Sequence, residues 1–150
     1  MLQKTAEYAL RAALCLARSP GRSLSRREIA AGTRIPPRYV YKVLQALVRA
    51  GIVTSEVGRG GGYRLARGPD KLTLLDIVQA ASTTERIRTC PLGLKSHTSL
   101  CPLHRQLDAA YGAMEDVLRQ GTLHDVLHEA GAIVPLLEIR GRTSKGAARR

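Results

Sequence analysis

The stretch from Ser25 to Leu65 constrains the fold most, because it orders two short helices and a glycine-tipped hairpin in immediate succession. Ser25 is followed three residues later by Glu28, which is the spacing of a capping box at a helix start. A second helix opens on Pro36-Pro37, where the fixed φ of proline suits the first turn and its missing N–H costs nothing. This order predicts a winged helix-turn-helix.

Glycines are predicted to end both helices, the first at Gly32 and the second at Gly51. The apolar residues of the second helix recur in steps of three and four, as on one buried helix face. They are Val40, Val43, Leu44, Leu47 and Val48. Two β-prone runs between Ile52 and Leu65 flank a glycine-rich tip, which predicts a hairpin. A phosphate-cradling nucleotide loop is disfavoured, because a strand rather than a helix follows these glycines.

Positive charge is concentrated in the N-terminal half of the chain. The net charge is +12; residues 1–70 carry 13 Lys and Arg against 4 Asp and Glu, whereas residues 71–139 carry 6 against 8. No acidic residue occurs between Glu28 and Glu56, so the outward face of the second helix is predicted to meet phosphates. A plain solvated helix face is the alternative. The candidate DNA-contacting residues are Arg34, Arg38, Tyr39, Tyr41 and Lys42 and, at the hairpin tip, Arg59, Gly60 and Gly61.

Several functional classes are disfavoured by the composition. No apolar run approaches the roughly 20 residues that span a bilayer, and the N-terminus lacks a signal-peptide layout, so a cytoplasmic protein without a membrane partner is expected. Three cysteines do not suggest a secreted disulfide framework, and Cys15 reads as a small core residue. No catalytic set sits on a regular scaffold, so neither an enzyme nor a small-molecule substrate is expected.

Helical patterns also lie outside the helix-turn-helix. We predict a helix over Lys4–Ala17, a short helix from Thr73 to about Ala81, and a long helix over Pro102–Gln120. The packed face of the first is predicted as Ala6, Leu10, Ala13, Leu14 and Ala17. The apolar positions of the long helix alternate in steps of three and four, which predicts a dimerisation helix, with packing inside one chain as the alternative. A last helix is predicted from Thr122 to about Ala130.

The predicted organisation has four parts, and the fold class is mainly α with a small β-hairpin wing. Residues 1–82 form the winged helix-turn-helix domain, and residues 83–101 an irregular loop. Residues 102–131 hold the dimerisation helix and the final short helix, and residues 132–150 form a basic flexible tail.

Taken together, the segments AEYALRAALCLA, IPPRYVYKVLQALVRAGIV, GRGGGYRLAR and TLLDIVQA and the CPLG…CPLH loop resemble the Rrf2 family of bacterial transcription regulators, the family of IscR, NsrR and CymR. The resemblance covers roughly residues 1–130. It implies a homodimer that binds a pseudo-palindromic operator in double-stranded DNA, and we expect this regulator to act as a repressor. In many members it also implies sensing of redox state, nitric oxide or iron through a metal cluster.

The loop carries the residues that such sensing would use, Cys90, His97, Cys101 and His104. Thiolates and imidazoles are the ligands that soft and borderline metals prefer. Cluster-binding relatives generally have three cysteines here, and this chain has two, so the resemblance favours a 2Fe-2S over a 4Fe-4S iron–sulfur cluster. It also suggests Glu7 as a ligand donated across the dimer, whereas a simple ion pair with Arg11 is the alternative.

Other readings of the loop stay open. A reversible disulfide between Cys90 and Cys101 would make a thiol-based regulator, and two cysteines with two histidines satisfy the tetrahedral ligand requirement of zinc. His97 and His104 also suit ordinary solvent-facing roles. With an inert loop, the protein would be a constitutive DNA-binding module.

Overall fold

The computed structural model describes residues 2–83, 85–131 and 133–136. Within them the chain forms six α-helices and one antiparallel hairpin, which confirms the predicted fold class. The elements are α1 (Lys4–Ala17), α2 (Arg26–Thr33), α3 (Pro37–Arg49), β1 (Val53–Glu56), β2 (Gly62–Leu65), α4 (Leu74–Ala81), α5 (Pro102–Gln120) and α6 (Leu123–His128). Over the described part of residues 83–101, the chain forms neither helix nor strand, as predicted.

Two expectations concern the chain as a whole. The predicted basic tail, residues 132–150, lies outside the described residues except for positions 133–136. Among the described helices, none is both long enough and apolar enough to cross a membrane.

Capping explains where the helix-turn-helix begins. The Ser25 hydroxyl accepts the Glu28 N–H at 3.3 Å, and the Glu28 carboxylate accepts the Ser25 N–H at 2.8 Å, so the predicted capping box is confirmed. These bonds, led by the one from the Ser25 backbone, hold the pKa of Glu28 below its usual value. α3 begins at Pro37, as predicted, and Gly51 follows its end with φ at +68°.

The predicted end of α2 at Gly32 is wrong. The helix continues through Thr33, and Arg34 takes the left-handed conformation with φ at +55°. The extra residue is stabilised because the Thr33 hydroxyl donates a hydrogen bond to the Ile29 carbonyl at 2.6 Å. Gly32 serves packing instead, since a Cβ there would lie 3.3 Å from the Cys15 sulfur.

α1 lies at the centre of the core, where it contacts α2, α3, α4, α6 and β2. Its predicted range is confirmed, but its buried face is wider than the predicted stripe because helices approach it from several sides. Ala6, Ala13 and Leu14 are buried as predicted, whereas Leu10 and Ala17 are only half-buried; Ala9, Ala12 and Leu16 are buried as well. The alanines let neighbouring backbones come close. Aliphatic side chains dominate the core, since the chain contains neither Phe nor Trp.

The wing is held by a third segment that the sequence pattern did not predict. β1 and β2 pair in the register Val53↔Leu65 to Glu56↔Gly62. Leu24, just before α2, exchanges two backbone hydrogen bonds with Tyr63 in β2, of 2.9 and 2.8 Å. At Gly62, φ is +147° and a Cβ would lie 2.6 Å from the Leu24 carbonyl oxygen, so only glycine permits this approach. The wing therefore keeps a set position beside the helix-turn-helix.

The segment that follows α5 packs back against the winged domain. The Leu74 N–H donates to the Gly121 carbonyl at 2.9 Å, and the Leu123 N–H donates to the Leu72 carbonyl at 3.0 Å. Leu123, the first residue of α6, is fully buried in the core. α6 ends at His128, two residues before the predicted Ala130. Both ends of the α4–α6 segment are thus attached to the same core.

α5 differs from the other long helices because none of its side chains is buried. It occupies the predicted range and packs mainly against α4. Much of its apolar stripe is open to solvent, with Leu103 63 % and Val117 69 % exposed. The helix therefore presents an unpartnered apolar face.

Leu123 provides a test of the returning segment. Leu123→Ala should lower the free energy of unfolding by about 2–5 kcal/mol, because the change leaves a cavity in a closely packed core. Urea titration followed by circular dichroism would measure it. Val57→Ala, at a fully exposed wing residue, is the matched control and should stay within about 0.5 kcal/mol of wild type. Equal effects of the two changes would show that α6 is not part of the core.

Candidate functional site

The outward face of α3 carries polar and basic side chains, while its inward face is buried in the core. Arg38, Tyr41 and Lys42 are exposed, and Tyr41 is 54 % accessible with the Arg26 guanidinium 5.5 Å from its ring centre. Arg34 is exposed at the turn between α2 and α3. The buried residues of α3 are Val40, Val43, Leu44 and Leu47. The predicted basic and apolar faces are therefore separated in space, and the basic one is accessible.

Tyr39 is placed differently from the other candidates on α3. Its ring is half-buried and lies 5.6 Å from the ring of Tyr8 on α1, and the Arg38 guanidinium lies 5.0 Å from the Tyr39 ring centre. The Tyr39 ring thus supports the position of Arg38 and fastens the start of α3 to α1. A contact between Tyr39 and DNA stays a prediction.

The wing tip presents Arg59 between glycines, and Arg59 is exposed. Gly60 has φ at +80°. The Gly61 N–H donates to the Gly58 carbonyl at 3.0 Å, and a Cβ on Gly61 would lie 2.3 Å from the Glu56 carbonyl oxygen. The glycines are therefore required by the turn itself, and they also leave the tip slender around one cation.

Two thiols and one imidazole converge at the start of α5. Cys101 is the N-cap of this helix and His104 lies in its first turn, three residues on, so both side chains share one face. The His104 Nδ1 lies 3.2 Å from the Cys101 sulfur and 3.6 Å from the Cys90 sulfur. The three ligand atoms lie within 4.8 Å of one another, and all three residues are half-buried. This arrangement is one that can hold a metal.

The remaining candidate ligands are placed less centrally. His97 lies outside this group of three, but its Nδ1 is 3.0 Å from the Cys90 sulfur. Glu7 is exposed on α1 and pairs with Arg11, the simple i, i+4 ion pair that was its alternative reading. A ligand role for Glu7 stays a prediction that concerns a second copy of the chain.

The third cysteine belongs to the core rather than to this group. Cys15 is a half-buried free thiol on α1 that packs against the core cluster, as predicted. Burial raises the pKa of the Cys15 thiol, so it stays protonated at neutral pH. It is therefore a natural reference thiol for experiments on Cys90 and Cys101.

A salt bridge that the sequence pattern did not predict joins the loop to α5. The Arg86 Nε and Nη2 atoms lie 2.7 and 2.6 Å from the two carboxylate oxygens of Asp108, and the Ile87 N–H donates to the same carboxylate at 2.9 Å. Arg86 crosses α5 at Gly112, where a Cβ would lie 2.8 Å from its Nη1 atom. We refer to Arg86, Ile87 and Asp108 as the Arg86 clamp. A glycine inside a helix was the only sequence signal for it.

The clamp changes the acid–base behaviour of its members. The hydrogen bond from Arg86, aided by that of the Ile87 N–H, holds the pKa of Asp108 below its usual value, while Asp108 raises the pKa of Arg86. Both groups are therefore ionised at neutral pH, and the first residues of the loop are tied to α5 by a charge-assisted, bidentate contact.

Comparison with known proteins agrees with this layout. The family model Rrf2, described as "Iron-dependent Transcriptional regulator", matches residues 2–129. The HTH-type transcriptional regulator BadM of Rhodopseudomonas palustris is 34 % identical over 97 % of this chain and 88 % of its own length. The HTH-type transcriptional regulator NsrR of Bacillus licheniformis is 30 % identical over 87 % and 94 %.

Solved structures share the same fold. T. potens IscR superposes with a TM-score of 0.72 at 24 % identity, covering 87 % of this chain and 88 % of that one, a likeness that concerns the fold alone. CymR of B. subtilis, the global cysteine regulator of that organism, has a TM-score of 0.67 at 26 % identity and covers 84 % and 95 %.

The Arg86 clamp predicts a pH dependence with a defined sign. Because the pKa of Asp108 is lowered in the folded chain, the clamp's contribution to stability is present above the unfolded carboxyl pKa and is lost as pH falls through the lowered value. In NMR spectra, the Ile87 amide resonance should shift only below the usual carboxyl range. Asp108→Asn should abolish this shift, whereas Asp116→Asn, at the exposed pair with Arg119, should not. An Ile87 resonance that titrates with an ordinary carboxyl pKa would contradict the clamp.

Proposed function

Because this chain belongs to the Rrf2 family of transcriptional regulators, we propose that it is a homodimeric DNA-binding repressor whose affinity for its operator responds to a metal group at the loop. It is a regulator of the IscR, NsrR and CymR type and not an enzyme. The observation that carries the DNA-binding part of the proposal is the accessible basic face of α3, backed by a rigid aliphatic core.

Each copy would place α3 in a major groove, with Arg38, Tyr41 and Lys42 at base edges or phosphates. Tyr39 and Arg34 would lie beside them, and Arg59, Gly60 and Gly61 would approach the flanking backbone or the minor groove. With no acid between Glu28 and Glu56, no carboxylate from that segment opposes the phosphates. The wing keeps its position because β2 is bonded to Leu24.

The partner for the open face of α5 would be a second copy of the chain. Leu103, Leu107, Tyr111 and Val117 expose apolar surface along one 19-residue helix, a pattern that suits pairing of two identical helices. Two-fold symmetry would then set the operator half-sites about one helical turn apart, or a multiple of it.

The loop is suited to control this dimer, because its ligands and its salt bridge both involve α5. Cys101 and His104 form the first turn of α5, and Arg86 binds Asp108 one turn further along. A change in what the ligands hold would therefore shift α5 relative to its neighbours and alter the spacing of the two recognition helices.

The donor chemistry supports a metal group, since both iron–sulfur centres and zinc take thiolate and imidazole ligands. A 2Fe-2S cluster held by Cys90 and Cys101 with His104, His97 or Glu7 stays the expectation from the family resemblance. When bound, such a cluster would supply sensitivity to oxidants, nitric oxide or iron supply. The reversible Cys90–Cys101 disulfide is the metal-free alternative, and both cysteines are free thiols in the structure.

The DNA-binding proposal is tested by removing charge from α3. The double change Arg38→Ala and Lys42→Ala should weaken binding to a short duplex of arbitrary sequence and reduce the slope of log K against log salt by about 0.9 for each lost phosphate contact. Fluorescence anisotropy at several salt concentrations measures both. Arg119→Ala, which removes one exposed cation at the far end of α5, is the control for loss of charge outside the proposed interface. Wild-type affinity and slope in the double variant would refute the proposed interface.

The dimer proposal is tested at Val117, which is 69 % exposed on α5. Val117→Glu should raise the dimer dissociation constant by about 100-fold or more, because a carboxylate would lose water at an apolar contact. Sedimentation equilibrium measures this constant, with Val57→Glu on the wing as control. Circular dichroism should show unchanged helix content. Unaltered dimerisation of the Val117 variant would place the interface elsewhere.

A further inference from the structure

We infer that Cys90, His97, Cys101 and His104 hold one tetrahedrally coordinated divalent ion of the zinc type, rather than an iron–sulfur cluster. This inference rests on the proposed function, because it names the ligand of the same sensing site. It is carried by the spacing of the donor atoms.

The observed separations among Cys90, Cys101 and His104 are close to the edges of a tetrahedron around a single ion, and His97 lies beside Cys90. With Zn–S bonds of about 2.3 Å and Zn–N bonds of about 2.0–2.1 Å, neighbouring sulfur and nitrogen ligands lie about 3.6 Å apart, and two sulfurs about 3.8 Å apart. The sulfur–nitrogen distances at the site are 3.0 Å for Cys90–His97, 3.2 Å for Cys101–His104 and 3.6 Å for Cys90–His104. The Cys90, Cys101 and His104 donors also lie within 4.8 Å of one another. A single ion therefore needs only small adjustments of Cys90, Cys101 and His104, whereas the His97 ring, which lies outside this group, would have to move toward the ion to complete the set.

The same spacing does not fit an iron–sulfur cluster. Each iron of a two-iron centre has two terminal positions, and each iron of a four-iron centre has one, with bridging sulfides between the irons. Ligands on different irons consequently lie farther apart than ligands of one ion. Three donors around one point are more terminal ligands than a single iron of either cluster accepts.

The ligands come from two parts of the chain that have different rigidity. Cys101 and His104 are held by the first turn of α5. Cys90 and His97 come from two successive turns, in which the Gly93 N–H donates to the Cys90 carbonyl at 3.2 Å and the His97 N–H to the Leu94 carbonyl at 2.9 Å. An ion would join the loop to the helix.

The ion would also be the main stabilising contact of the loop. None of residues 85–100 is buried, so apolar packing contributes little to the order of this segment. In such a segment the free energy of metal binding becomes free energy of local folding. The half-buried ligands remain accessible to exchange, and the regulator would thus respond to the supply of the divalent ion itself.

Metal titration of the purified full-length protein tests this inference. Chelator-treated, reduced protein should bind one Co²⁺ per chain under anaerobic conditions, with the intense visible bands of tetrahedral cobalt and a thiolate-to-cobalt band in the near ultraviolet. Zn²⁺ should displace the cobalt in a one-to-one ratio. When iron and sulfide are supplied together with Zn²⁺, the protein should retain zinc and no acid-labile sulfide.

Ligand variants give the expected size of the effect. Cys90→Ser, Cys101→Ser and His104→Asn should each lower Co²⁺ affinity by about 100-fold or more, and His97→Asn should lower it by about 10-fold or more. Cys15→Ser and His124→Asn, a thiol and an imidazole outside the site, are the matched controls and should bind as wild type. Unchanged affinity in the Cys90 and Cys101 variants would overturn the assignment.

Two further results would also overturn it. One is iron and acid-labile sulfide retained in equal amounts in preference to zinc, and the other is the absence of any tetrahedral cobalt spectrum.

DNA binding, measured in the same samples, separates this inference from the proposed function. If the ion binds but DNA affinity is the same with and without it, the inference stands and the sensing role fails. If no single ion binds but DNA binding still depends on Arg38 and Lys42, the inference fails and the DNA-binding function stands.

Discussion

The packing of α1 at the centre of an aliphatic core is the interaction on which the rest of the structure depends. With no Phe or Trp available, the core is built from many close contacts between small and branched side chains. Alanines on several sides of α1 allow α2, α3, α4, α6 and the wing to approach it together. The direction in which α3 presents its basic face is therefore set by α1, and the contact between Tyr8 and Tyr39 strengthens this link at the start of α3.

The second organising relation is the attachment of a poorly packed loop to a long exposed helix. Polar contacts join residues 85–100 to that helix, since the Cys90 sulfur lies 3.6 Å from the His104 Nδ1 at the start of α5 and the Arg86 clamp binds Asp108 further along. Polar contacts of this kind are sensitive to pH and to the binding of a metal. The packing of aliphatic side chains in the core is sensitive to neither. The chain thus combines a helix-turn-helix held by an aliphatic core with a loop held by polar contacts. This combination suits a regulator, because the loop can change while the DNA-binding part keeps its shape.

Much of the fold could be predicted from local patterns. The ranges of α1 and α5, the capping box at Ser25 and the presence of the hairpin follow from periodicity, caps and turn residues, each of which acts over a few residues. The end of α2 was missed because the hydroxyl of Thr33 extends the helix past Gly32. The two cysteines and His104 were recognised by ligand type, and the structure adds that they share one small volume.

The sequence by itself determined which segments become helix or hairpin, where the basic charge lies and which side chains are capable of metal ligation. Only the tertiary structure decided that Leu24 pairs with the wing, that Leu123 closes the core and that Arg86 reaches Asp108. It also decided the spacing of the donor atoms, on which the proposed single-ion site rests. The physical reason is that caps and periodicity are local, whereas contacts between distant segments depend on the packing free energy of the whole chain, which no local pattern encodes.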